Sequence, residues 1–114
     1  MKLRIYKLIL STIKFIDPLP KNDSVCRVVN DQLTRSITSV GANYIEAIAG
    51  VSKKDFSNFL SYALKSANES KFWFALIRDS GKADKIVVDP LLKELTEISN
   101  ILGASIGTMK NNRK

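Results

Sequence analysis

The stretch that decides the fold is residues 23–81, DSVCRVVNDQLTRSITSVGANYIEAIAGVSKKDFSNFLSYALKSANESKFWFALIRDSG. Within it, apolar residues recur every three or four positions, the spacing of one face of an α-helix. Gly50 interrupts the pattern and Gly81 ends it. The pattern therefore predicts two long helices, over residues 24–49 and 53–79, that are joined by a short turn.

The ends of both predicted helices carry capping residues. Asp23 or Ser24 can accept hydrogen bonds from the free amide groups of the first helical turn, and Ser52 can do so for the next helix. Asp55 follows Ser52 by three residues, which makes a variant of the capping box. Gly50 is typical of the position that follows a helix.

A further helix is predicted before this pair, over residues 2–16. Asp17 precedes Pro18, and a residue before proline is disfavoured in the helical conformation, so the helix is expected to end there. Its apolar side chains, expected to face the core, are Tyr6, Ile9, Leu10, Ile13 and Ile16.

The last helix is predicted over residues 90–110. The pair Asp89-Pro90 is typical of a helix start, with Asp89 as the cap and Pro90 as the first helical residue. The preceding residues 82–88 are expected to form a loop whose apolar end, residues 86–88, folds back onto the helices.

Short connections make consecutive helices antiparallel. The predicted fold class is therefore all-α, an antiparallel up-down-up-down four-helix bundle. A chain of 114 residues is the size of one domain, so a single domain over residues 1–114 is predicted.

Composition excludes several chemistries. The chain has no histidine and one cysteine, Cys26, so Ser-His and Cys-His nucleophilic pairs are impossible and the commonest metal ligand is missing. Glu94 and Glu97 lie three residues apart, but carboxylates that hold Mg²⁺ need further ligands, so a solvated helix face is the favoured interpretation. The sequence predicts no enzyme, no catalytic residue, no cofactor and no metal.

A cytoplasmic location is also predicted. A lone cysteine cannot form an intramolecular disulfide, which fits a reducing compartment. The apolar run at residues 2–16 contains Lys7 and Lys14 and is too short to span a bilayer, so no membrane partner is expected.

Four motifs carry a family resemblance. They are Asp31-Gln-Leu-Thr-Arg35-Ser36, Ser39-Val-Gly-Ala-Asn43-Tyr-Ile-Glu46, Ser52-Lys-Lys-Asp-Phe56 and Ala63-Leu-Lys-Ser66-Ala-Asn-Glu69. In this order they resemble the four-helix-bundle family of 23S ribosomal-RNA intervening-sequence proteins, over about residues 1–110. The family's usual Glu-Gly-x-Gly-Arg is replaced here by Glu46-Ala-Ile-Ala-Gly50, which is expected to lengthen the second helix.

The resemblance implies a ring-shaped homo-oligomer, commonly a pentamer, without a settled biochemical activity. The family is related to the accessory bundle proteins of diversity-generating retroelements, which bind nucleic acid. By analogy, the resemblance favours RNA or DNA as a partner.

The motif residues predict a row of polar side chains between the second and third helices, here called the polar seam. Its members are Gln32, Arg35, Ser36, Ser39, Asn43, Glu46, Ser66 and Glu69. Spacings of three and four place them on facing helix sides, with Arg35 within reach of Glu69. The seam is either a binding or catalytic groove or a hydrogen-bonded network that fixes helix register or the subunit interface, and the structural interpretation is favoured.

The net charge of +7 indicates an anionic partner or simply a soluble basic protein. Bundle topology gathers the excess at one end, here called the basic pole, with these members: Lys2, Arg4, Lys7, Lys53, Lys54, Lys110, Arg113 and Lys114. Non-specific binding of RNA or DNA is the first functional hypothesis.

The alternative is an oligomeric scaffold that docks a protein. Phe72, Trp73 and Phe74 cannot all face one core, so at least one should meet a neighbouring helix or subunit.

Overall fold

The computed structural model describes residues 1–111 and the side chains of residues 1–109. It contains four helices, α1 (Lys2–Ile16), α2 (Ser24–Ala49), α3 (Lys53–Asp79) and α4 (Lys85–Asn111), and no strand within that range. The helices run alternately up and down in a bundle 51 Å long and about 20 Å across. This confirms the predicted four-helix bundle. Between residues 1 and 111, no helix is both long and apolar enough to cross a membrane.

The core lies where the four helices converge along the bundle axis. Its largest fully buried side chains include Leu33 and Ile37 of α2, Phe74 of α3, and Leu95 and Ile98 of α4. These residues repeat at helical spacing, so each helix contributes one continuous apolar face. Burying that surface is the main force that holds the bundle together.

The predicted core face of α1 was partly wrong. The side chains of Ile5, Leu8 and Ile16 are buried, whereas Tyr6 and Leu10 are exposed. Because α1 is apolar around most of its circumference, the same sequence fits two faces at helical spacing. Packing decides between them, and it leaves Leu3, Tyr6 and Leu10, here called the exposed stripe of α1, outside the core.

Gly41 allows α1 to lie close to α2. A Cβ atom at this position would be 2.7 Å from Cδ1 of Ile9 and 3.7 Å from Cγ2 of Ile5. The first half of α1 therefore lies against α2 near Gly41, about two turns before α2 ends.

The predicted caps of α2 and α3 are confirmed. The Asp23 carboxylate accepts a hydrogen bond from the Cys26 amide at 3.0 Å, and the Ser52 hydroxyl accepts one from the Asp55 amide at 3.0 Å. At the end of α3, Gly81 adopts a φ of +75°, which residues with a Cβ rarely adopt.

The predicted start of α4 was wrong by five residues. Asp84 caps this helix, since its carboxylate accepts from the Ile86 amide at 3.0 Å and its carbonyl accepts from the amides of Val87 and Val88. Pro90 consequently lies inside the helix. The extra turn places Val88 in the core, and that burial outweighs the hydrogen bond that proline cannot make. Residues 86–88 do not form the predicted loop.

Asp23 also joins the start of α2 to the connection between α3 and α4. Its second carboxylate oxygen accepts a hydrogen bond from Nζ of Lys82 at 2.8 Å. The Lys82 ammonium, followed by the Cys26 amide, lowers the pKa of Asp23 to about 2.

Replacing Asp23 tests this link through the pH dependence of stability. A pKa lowered in the folded state stabilises the fold above the unfolded pKa of about 4, and that contribution is lost as the pH falls toward 2. We expect Asp23→Asn, which keeps a capping group, to lose less stability than the wild type between these pH values. Urea unfolding at a series of pH values measures this. Asp17→Asn is the control, and equal slopes for wild type and Asp23→Asn would contradict the link.

Candidate functional site

The inner row of the polar seam consists of hydroxyl groups that meet across α2 and α3. The hydroxyl oxygens of Ser36 and Ser70 lie 2.7 Å apart, and those of Ser39 and Ser66 lie 2.9 Å apart. Nδ2 of Asn43 donates to the Ser39 hydroxyl at 3.0 Å and to the Ser39 carbonyl at 2.9 Å. Ser36 and Ser70 are fully buried. Sequence reasoning did not include Ser70, although it lies one turn beyond Ser66.

The outer row of the seam lies nearer the surface and is charged. The Arg35 guanidinium donates to the Glu69 carboxylate and, at 3.1 and 3.2 Å, to Oε1 of Gln32. Nε1 of Trp73 donates to the same Glu69 carboxylate at 3.0 Å. The contact between Arg35 and Glu69 that helix spacing predicts is therefore present. Glu46 is exposed and has no ion-pair or hydrogen-bond partner among the described side chains.

The chemistry of the seam is that of a helix junction. Within residues 1–109, every buried side-chain nitrogen and oxygen has a hydrogen-bond partner, so the buried part of the seam is satisfied internally. The same residues contain no group of three or more acidic or cysteine side chains placed to hold a metal. The geometry therefore favours the structural interpretation of the seam.

The basic pole differs in one member from the predicted arrangement. Arg4 donates from Nε and Nη2 to the Glu94 carboxylate at 2.7 and 2.6 Å, and from Nη2 to Glu97 at 2.8 Å. Its charge is thus balanced by two carboxylates of α4. The hydrogen bond from Arg4 lowers the pKa of Glu94. The two glutamates are therefore partners of an arginine, and the Glu97 side chain remains 53% exposed, as expected for a solvated helix face.

The remaining described members of the basic pole are exposed lysines. Lys2 lies beside the last turns of α2, where it borders a groove with Ile45, and Lys7 follows along α1. Lys53 and Lys54 are in the first turn of α3. Lys110, Arg113 and Lys114 fall outside the residues whose side chains the structure describes.

The three consecutive aromatic residues of α3 have three different environments. Phe74 is buried in the core, Trp73 packs against the core and bonds to Glu69, and the Phe72 ring is 56% exposed. Phe72 is therefore the aromatic residue that no helix of the same chain covers. The exposed stripe of α1 has the same character, and the sequence signal for it was the excess of apolar residues in that helix.

Two comparisons with known proteins identify the family to which this four-helix bundle belongs. The family model described as 23S rRNA-intervening sequence protein matches residues 3–104. The chain belongs to this family. The match confirms the resemblance that the seam and capping motifs carry.

A solved crystal structure gives the same result. It is of a protein described as having unknown function, from the S23 ribosomal protein family of Bacteroides thetaiotaomicron. The two sequences are 30% identical, the alignment covers 92% of this chain and 96% of that one, and the TM-score is 0.78. Among curated proteins, none matches the chain. The intervening-sequence protein family thus fixes the fold without assigning an activity.

Replacing Arg35 tests the structural role of the seam. Arg35 and Glu69 have side chains that are 56% and 36% exposed, and exposed ion pairs contribute little, so we expect Arg35→Ala to lower the free energy of unfolding by about 0.5–1 kcal/mol. Urea unfolding followed by Trp73 fluorescence measures the change. Arg27→Ala, on the same helix but without an ion pair among the described residues, is the control. If Arg35→Ala and wild type had the same midpoint, the seam would not stabilise the bundle.

Proposed function

We propose that this protein is a non-enzymatic, self-associating helical bundle that holds RNA or DNA through phosphate contacts made by its lysines. The charge left over after ion pairing carries the proposal. Six carboxylates are held in the described ion pairs by only four cations: Arg4, Arg35, Arg78 and Lys82. The ion pairs therefore neutralise more carboxylates than cations, which leaves an excess of cations outside them.

The cations that remain outside these pairs are nearly all lysines. Among the described side chains they are Lys2, Lys7, Lys14, Lys21, Arg27, Lys53, Lys54, Lys65, Lys71, Lys85 and Lys93. The carboxylates outside the pairs are Asp17, Asp31, Glu46, Asp55 and Asp84. Lysine is a point charge on a flexible stem, which suits phosphate binding without base recognition.

Lys53 and Lys54 are the most informative of these cations. They occupy the first turn of α3, where the helix dipole favours acidic side chains and disfavours basic ones. Stabilisation of their own helix therefore does not explain them. An anion bound at this end of the bundle would meet both lysines, and association of several chains would multiply the charge.

A second candidate function is a scaffold that docks a protein. The observation that favours it is the set of large apolar side chains that the bundle leaves exposed, which includes Leu3, Tyr6, Ile45 and Phe72. Large exposed apolar patches mark sites where proteins associate. Self-association is common to both candidates.

A salt titration with labelled single-stranded RNA and duplex DNA separates the two candidates. Phosphate binding predicts that affinity falls steeply between about 50 and about 200 mM salt, with little difference between sequences. We expect Lys53→Ala/Lys54→Ala to weaken binding and to reduce the salt slope by about one unit for each lysine removed. Fluorescence anisotropy measures both quantities.

Lys85→Ala/Lys93→Ala is the matched control, because it removes the same charge from exposed positions in the first half of α4, at the other end of the bundle. Equal losses in the two double variants would show that net charge acts without a defined site. Absence of binding at about 50 mM salt would contradict the nucleic-acid proposal and favour the scaffold.

A further inference from the structure

The outward side of α3 carries a row of basic, amide and aromatic side chains, here called the α3 stripe. Its members are all exposed and follow one another every three or four residues: Lys54, Asn58, Tyr62, Lys65, Asn68 and Phe72. Such spacing places them on one face of the helix, over a length of about 27 Å. The order lysine, asparagine, aromatic ring therefore occurs twice along this face.

Both rings of the stripe are held in a defined orientation. Tyr62 and Phe72 are 50% and 56% exposed. The Tyr62 ring stands edge-on to Phe59, with centroids 6.1 Å apart, and the Phe72 ring stands edge-on to Trp73, with centroids 4.9 Å apart. Phe59 and Trp73 are partly buried and pack against the core. Because edge-to-face contacts are favourable, each exposed ring is positioned before any ligand arrives.

The charge beside the rings is positive. Nζ of Lys65 lies 6.0 Å from the centroid of the Tyr62 ring. Glu69 is the one carboxylate of α3 within residues 56–78, and the Arg35 guanidinium of α2 donates to it. A ligand that contacts the rings consequently meets a lysine, while the nearby carboxylate is already paired.

This combination suits a single-stranded nucleic acid better than a protein or a duplex. Lys65 and Glu69 lie between the two rings, so the stripe is not a continuous apolar patch of the kind that proteins cover. In a duplex the face of each base is covered by its neighbours, about 3.4 Å away along the strand. A single strand can present a free base face to a ring and a phosphate to a lysine.

We propose that the α3 stripe binds a single strand of RNA or DNA, with one base stacked on Tyr62 and another on Phe72. The proposal rests on the phosphate binding proposed above and names the class of nucleic acid that is bound. The two rings are ten residues apart, about 15 Å along the helix, so the stacked bases are not neighbours in the strand. Lys54 and Lys65 hold phosphates, and the rings select the single strand without reading its sequence, since every base has a face that can stack.

Replacing both rings with leucine tests this selection. Tyr62→Leu/Phe72→Leu keeps two apolar side chains but removes the aromatic faces. Fluorescence anisotropy is measured with labelled oligouridine, labelled oligothymidine and a duplex DNA of equal length. The wild type should bind the single strands more tightly than the duplex, and the tighter of the two identifies RNA or DNA as the preferred ligand. The double variant should lose about fivefold or more in single-strand affinity for each base no longer stacked, and nothing in duplex affinity.

The salt dependence separates the rings from the lysines. Stacking releases no counterions, so Tyr62→Leu/Phe72→Leu should keep the wild-type salt slope, whereas Lys53→Ala/Lys54→Ala should reduce it. Tyr6→Leu is the matched control, because Tyr6 is a 58% exposed tyrosine on α1, outside the stripe, and this variant should bind like the wild type.

The outcomes distinguish the two proposals. No binding of any of the three nucleic acids at about 50 mM salt would overturn phosphate binding itself. Duplex affinity equal to or above that of the single strands would leave phosphate binding standing and overturn the role of the stripe. Unchanged single-strand affinity in Tyr62→Leu/Phe72→Leu, or an equal loss in Tyr6→Leu, would do the same.

A crosslinking experiment on the wild type needs no substitution and applies if the double variant loses helicity by circular dichroism. A single strand that carries 5-iodouracil is irradiated in the complex, and the crosslinked peptides are identified by mass spectrometry. Crosslinks are expected at Tyr62 or Phe72. Crosslinks confined to other residues would overturn the proposal.

Discussion

The close approach of α2 and α3 along the serine pairs is the contact on which the rest of the structure depends. Small side chains let α2 and α3 meet closely, and the buried hydroxyl oxygens of Ser36 and Ser70 lie 2.7 Å apart in this register. That register places Arg35 opposite Glu69 and sets which face of α3 points outward. A slip of one residue would break the hydroxyl pairs and turn the core face of α3 away from the core.

The parts of the fold that could be predicted from the sequence are those decided locally. The ends of α2 and α3 follow from Asp23, Ser52 and the glycines after each helix, because a cap acts within one turn. The start of α4 could not be predicted from its local capping signal. Asp89-Pro90 has the local signature of a helix start, but burial of Val88 against the other helices extends the helix back to Asp84. Tertiary packing overrode the local signal.

The same distinction applies to the candidate site. The contact of Arg35 with Glu69 follows from helix spacing in a hairpin with a short turn, and it was predictable. The contacts of Arg4 with Glu94 and Glu97 join residues about 90 positions apart, and they depend on how the short α1 lies against α4. Likewise, the exposed stripe of α1 appears only once packing has chosen Ile5 and Leu8 for the core. The seam residues are thus set by the hairpin of α2 and α3, whereas the exposed surface of the bundle depends on how all four helices pack.

A double-mutant cycle on Ser36 and Ser70 tests most directly whether the seam holds the two central helices together. Ser36→Ala, Ser70→Ala and the double variant are compared with the wild type by urea unfolding. If the hydroxyl pair stabilises the junction, the effects of the single substitutions are not additive, and the coupling free energy is about 1 kcal/mol. Additive effects, with a coupling below about 0.3 kcal/mol, would contradict a structural role for the seam.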